Sequence, residues 1–151
     1  MKLFLLLAAG LSAFASDIGD IKTVYLLPMA NGLDQYLAIK LTTGAILQVV
    51  TDPQKADGVL TDHVGASFEA KLDELYGNLH AVKDDKDPLS DFGRPVSQPL
   101  ARARGAIFLV DRKTRNVVWS DYERPRSTTQ PEINHLAEKI SSKLFKDVKG
   151  K

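Results

Sequence analysis

The sequence predicts an α+β domain: a mixed sheet in the order β-α-β-β-α-(long loop)-β-β-α, with amphipathic helices on one face. Three observations carry that expectation. Short β-branched and apolar runs stop at proline, glycine or aspartate, the pattern of buried strands. Between them lie three segments whose apolar residues recur at three- and four-residue spacing, as in a helix that lays one face on a core. The chain also has no cysteine, so neither disulfides nor thiolate-bound metal can replace a packed interior. A single domain of this length can bury enough surface to build one.

Met1-Lys2 gives a short positive start, Leu3 to Ala9 is apolar, and Ala13-Phe14-Ala15 supplies a small-x-small pattern. Together they predict a secretory signal peptide over residues 1–15, cleaved before Ser16. The apolar run is far below the ~20 residues that span a bilayer, and without a cysteine at the cleavage point no lipoprotein anchor is expected. The expected product is soluble and periplasmic or secreted, with no transmembrane segment. It divides into a polar leader (16–22) and one domain (23–151) with a flexible insertion at 78–104.

Within the domain, Thr23 to Leu27 reads as a strand stopped by Pro28. Asn31 is placed to cap a helix, with Asp34 near its positive end. Leu33, Tyr36, Leu37 and Leu41 share a face of that helix, and Gly44 stands where a left-handed stop is expected. Ile46 to Val50 is a second strand, Asp52-Pro53 opens a single helical turn, and Gly58 to Thr61 is a third strand. Ser67 is expected to cap a helix over 68–76 with Phe68, Leu72 and Leu75 inward and Gly77 as its stop. Residues 78–104 lose all periodicity and hold three prolines and an acidic run, which predicts an insertion rather than a packed element. Ala106 to Val110 and Val117 to Tyr122, joined by a polar turn, read as a β-hairpin, with Trp119 turned toward the core. Thr129 and Glu132 read as a capping box ahead of an apolar stripe of Ile133, Leu136, Ala137, Ile140, Leu144 and Val148. Lys143, Lys146 and Lys149 lie near the negative end of that helix's dipole.

Two of these stretches carry a resemblance. Ala56-Asp57-Gly58-Val59-Leu60-Thr61-Asp62 resembles the "A-D-x-V-hydrophobic-T-G" strand of small bacterial envelope domains. These include the amino-terminal domain of TolB, the curli-secretion lipoprotein CsgG and penicillin-binding-protein activator lipoproteins. Asp111 to Ser120, ending in Val117-Val118-Trp119-Ser120, is similar to the "D-x-x-T-G-x-V-x-W-S" hairpin of the same group. Asp62 and Arg115-Asn116 stand where that group favours glycine. The resemblance covers about residues 23–62 and 105–148 and implies an envelope domain that works by docking to other proteins. The chain is also similar to uncharacterised exported bacterial proteins of this size.

Charge points the same way. Residues 16–100 hold 7 Lys/Arg against 13 Asp/Glu, and residues 101–151 hold 12 against 6. Such a split suits either internal complementarity or a basic face for an anionic partner. Arg102, Arg104, Arg112, Lys113, Arg115, Arg124 and Arg126 are the candidates for that face, with Tyr122 as an exposed aromatic beside them. An exported chain without aromatic residues interleaved among its basic ones is not expected to bind nucleic acid. The expected partner is an envelope protein, with an anionic membrane surface or glycan as the alternative.

No catalytic residues, metal ligands or cofactor are predicted. His63, His80 and His135 are not at metal-ligand spacing from one another. Asp84, Asp85, Asp87 and Asp91 lack the glycine and distal glutamate of a calcium-binding loop, and no phosphate-cradling loop is present. Asp62-His63 is half of a nucleophile relay without the serine elbow that would complete it. It leaves a small hydrolase as a further alternative.

Overall fold

The computed structural model describes residues 17–77 and 105–150. The expected signal peptide and the insertion at 78–104, with its acidic run, lie outside the described residues. Five strands form one mixed sheet: β1 (Thr23–Leu26), β2 (Gln48–Val49), β3 (Gly58–Thr61), β4 (Ala106–Asp111) and β5 (Val117–Tyr122). Three helices pack on it: α1 (Leu33–Thr43), α2 (Ala66–Tyr76) and α3 (Gln130–Lys149). The class is α+β and the element order follows the expectation. Across the sheet the order is β2-β1-β3-β4-β5. β1 runs parallel to β2 and β3, while β4 is antiparallel to both β3 and β5.

Side chains alternate across a strand, and the two sets meet different helices. Val24, Leu60, Ile107 and Leu109 join Leu37 and Leu41 of α1 and Ile133, Leu136, Ile140 and Leu144 of α3 in the larger apolar cluster. Val59 and Val110 point the other way, where Leu27, Phe68 and Leu72 complete a smaller cluster. Two helices therefore share one face, and α2 covers the opposite one, which corrects the one-face expectation. The reason lies in β3, whose four residues are all buried. Such a strand needs cover on both sides, and its unbroken Val59-Leu60 run is the mark of that environment.

Local differences have equally local causes. The leader is not a solvated tail: Ile18 and Ile21 are 3% and 1% exposed and belong to the larger cluster. A 3-10 turn over Ile18–Asp20 brings them there. At α1 the cap position is Gly32, left-handed and without a side-chain cap bond. Asn31 is itself left-handed at φ 58, while the Asp34 carboxylate accepts the Met29 amide at 3.0 Å. At the other end Gly44 is helical, and Ala45 takes the left-handed position at φ 48. The Ile46 and Ala45 amides donate back to the Leu41 and Thr42 carbonyls, the double closure of a Schellman stop. The glycine thus stands one residue too early. α2 starts after Gly65, so Ser67 lies inside it rather than capping it. Thr129 precedes α3 without a side-chain cap bond. Its hydroxyl meets Ser127 instead, and Glu132 accepts the Arg126 amide, so the capping box does not form.

Candidate functional site

Two places bring chemistry-bearing side chains together. The first is the carboxyl edge of β1 and β3, where the chain leaves toward opposite faces, into α1 from one strand and α2 from the other. Such a switch point opens a crevice in parallel sheets. Here a buried carboxylate ties it together. Asp62, 8% exposed, accepts the Ala30 amide at 2.9 Å on one oxygen and faces His63 Nδ1 at 2.6 Å with the other. The Phe68 ring meets the imidazole edge-on at 6.5 Å between centroids. Nε2 has no hydrogen-bond partner among the described residues, so no hydroxyl completes a nucleophile relay there. Asp62 works as a staple between the two loops.

The second place is β5 with the turn that precedes it. Asp111 Oδ1 accepts the Lys113 and Thr114 amides, both at 2.8 Å, which closes the turn. Arg115 follows at φ 58 and reaches Glu69 and Asp73 of α2 at 2.8 and 2.7 Å. Its side chain is only 9% exposed. Burial alone would lower the Arg115 pKa, but the bonds to Glu69 and Asp73 outweigh it and hold the guanidinium firmly charged. Arg112 lies 5.3 Å from the centre of the Tyr76 ring and donates to the Gln54 carbonyl. Burial lifts the Tyr76 hydroxyl above its ordinary pKa, with Arg112 opposing.

These contacts occupy two of the residues expected on a basic face. Arg112 and Arg115 are engaged inside the domain, and Arg102 and Arg104 lie outside the described residues. Lys113, Arg124 and Arg126 are exposed, and none has a carboxylate within ion-pair distance among the described residues. They stand at opposite ends of β5, roughly 20 Å apart by the rise of a six-residue strand.

β5 itself is two-sided. Toward α3, Trp119 Nε1 donates to Asp147 at 2.7 Å and Lys143 bonds Asp121 at 3.0 Å and Glu123. The bond from Lys143 pulls the Glu123 carboxyl below its usual range, and the same contact raises the Lys143 ammonium. Val118 and Trp119 both pack on the larger cluster because the register shifts after Leu109 and leaves Val118 as a bulge. The other face of β5 carries Val117 and Tyr122, which are 49% and 56% exposed.

Among the described residues the strand's outer edge is also unpaired. Glu123 donates to the Gly105 carbonyl at 3.0 Å, and bonded and non-bonded pairs alternate along an antiparallel ladder. Ile107–Asp121 and Leu109–Trp119 are therefore bonded pairs. Ser120 and Tyr122 direct their amides and carbonyls away from β4, toward an edge that no described strand covers. That edge position was missed in the sequence because it depends on strand order, which periodicity does not encode. Glu69 and Asp73 were missed as partners of Arg115, although their four-residue spacing on one helix face was readable.

Among the described residues no group of three or more His, Cys, Asp or Glu could hold a metal ion, and no helix is long and apolar enough to cross a membrane. A shallow, open crevice of about 270 Å³ lies beside Trp119, Lys146 and Asp147. Fold and site together define a small mixed-sheet α+β domain with a carboxylate staple at its switch point and an apolar-faced edge strand that no other described strand covers. No protein-family model, curated protein or solved structure matches the chain.

Proposed function

We propose that the chain is an exported, non-catalytic envelope protein that docks a partner protein, and that its docking surface is the free side of β5. The observation that carries this reading is the combination of an open backbone edge with two exposed apolar side chains, Val117 and Tyr122, on one strand. Sheet edges are ordinarily blunted by charge, proline or shortness. β2, the opposite edge, has two residues. β5 has six and no lysine, arginine or proline within it; its one charged side chain, Asp121, is bonded to Lys143 on the α3 side, and its bulge is confined to Val118. Residues 1–15 and the likeness of residues 56–62 and 111–120 to envelope docking domains supply the setting.

The test is site-specific photo-crosslinking in the exporting cell. A crosslinker at Val117 or Tyr122 is expected to trap one protein species. The same probe at Ile39, 59% exposed on α1, is expected to trap none. Equal capture at Ile39, or no capture at β5, would overturn the reading.

A second reading is a small hydrolase built on Asp62 and His63, favoured by their 2.6 Å contact. His63→Ala separates the two: turnover lost with folding intact supports the enzyme, and turnover unchanged removes its base.

A further inference from the structure

We propose that β5 binds its partner by strand addition, and that the partner is an extended peptide segment with an apolar centre and acidic residues at both ends. This rests on the docking reading and specifies its chemistry. An added strand needs three things: free amides and carbonyls, side-chain contacts on alternate residues, and a means of setting register. The backbone groups are those of Ser120 and Tyr122, turned outward by the pairing of β5 with β4. Val117 and Tyr122 give the apolar contacts on one face. Register comes from the ends, where Lys113 stands beyond one terminus of the strand and Arg124 and Arg126 beyond the other. All three are exposed and form no ion pair among the described residues, although the Lys113 charge lies near enough to Asp57 to act on its carboxylate.

The same charges argue against a second copy of this chain as the occupant. Two β5 strands paired about a two-fold axis run antiparallel. Lys113 of one copy would then face Arg124 and Arg126 of the other, and like charges set opposite each other oppose pairing. An acidic segment meets cations at both ends in either direction.

The experiment uses the chain from Ser16 onward and a labelled synthetic peptide of roughly nine residues, alternating valine and threonine with two aspartates at each end. The control carries lysines in place of the aspartates. Fluorescence anisotropy should show binding of the acidic peptide only, weakening between roughly 0.05 and 0.5 M salt as exposed charges are screened. NMR should show slowed amide exchange at Ser120 and Tyr122 in the complex. Lys113→Glu, Arg124→Glu and Arg126→Glu together should weaken binding by about tenfold. Ser120→Pro should abolish it by removing an outward amide that the fold does not use. Val117→Lys with Tyr122→Lys, on side chains already exposed, gives a second block if that proline perturbs the hairpin.

Absence of peptide binding, or binding that both blocking variants leave intact, overturns strand addition. So does a dimer in sedimentation that Ser120→Pro dissolves. Retention on anionic phospholipid vesicles that the triple charge variant loses, with no peptide binding, also overturns it and assigns the cations to a membrane. Strand addition alone fails if crosslinks at Tyr122 persist while no peptide binds. The docking reading falls with it only if those crosslinks are absent too.

Discussion

Asp57 shows how a single motif residue can do structural work. One of its carboxylate oxygens accepts the Lys22 and Thr23 amides and the Thr23 hydroxyl at 3.0–3.1 Å, fixing the start of β1 against the start of β3. Burial pushes its pKa up, but the two amide donors, the hydroxyl and the nearby Lys113 charge outweigh burial and leave it below the ordinary value. A depressed carboxyl pKa stabilises the fold at pH values above its unfolded value, about 4. That contribution is lost as pH falls through the lower folded value. Asp57→Asn should therefore lower stability by about 1 kcal/mol at neutral pH, and the deficit should vanish in acid. Urea midpoints of both proteins between neutral and acid pH check this, and a deficit independent of pH would refute it. Ala45 offers the opposite case. It holds φ 48 at the end of α1, where a Cβ is strained, so Ala45→Gly should stabilise by about 1 kcal/mol in the same measurement. The A-D-x-V pattern made Asp57 visible in the sequence. The strain at Ala45 was not visible, because a glycine one residue away already satisfied the stop signal.

At the scale of elements, the hairpin of β4 and β5 depends on a close approach at its open end. Gly105 has φ 95, and a Cβ there would lie 1.8 Å from the Glu123 carbonyl oxygen. That oxygen belongs to the residue whose amide bonds Gly105, so moving it away disrupts the last pair of the ladder. Gly105→Ala should cost at least about 2 kcal/mol, combining positive-φ strain with backbone displacement. Thermal denaturation should show it together with faster amide exchange at Glu123, and an unchanged midpoint would argue that the ladder end is slack. The strands and helices themselves were legible because each carries its own pattern: Ala106 to Val110 an unbroken apolar run, Ile133 to Leu144 the helical stripe. The layering was less so. Phe68, Leu72 and Leu75 announce an inward face without saying which side of the sheet it meets. Only the burial of both sides of β3 decides that. Two of the basic candidates are drawn into internal contacts for a related reason. Arg115 and Arg112 are close in sequence to Lys113, yet the turn aims the arginines at α2 and the Gln54 carbonyl and leaves the lysine exposed.

At the scale of the whole molecule, the proposed export and the fold meet within three residues. Cleavage before Ser16 would leave Ser16 and Asp17 ahead of Ile18, the first buried side chain of the described chain. A signal peptidase needs an extended, accessible segment at its cut, whereas Ile18 and Ile21 need to reach the cluster formed by α1, α3 and the sheet. The two requirements are compatible only if the cut falls upstream of Ile18, as the Ala13-Phe14-Ala15 pattern places it. Mass spectrometry of the exported protein should give a chain beginning at Ser16. That chain keeps every residue of the described core, whose first member is Ile18, and should be as stable as the uncleaved one. Removing residues 16–21 as well deletes both isoleucines. Fully buried isoleucine side chains truncated to alanine cost about 2–5 kcal/mol each, so the shortened chain should lose most of a small domain's stability margin. Equal urea midpoints for the chains starting at Ser16 and at Lys22 would show that the leader is dispensable and that the 3-10 turn is a passenger on the core.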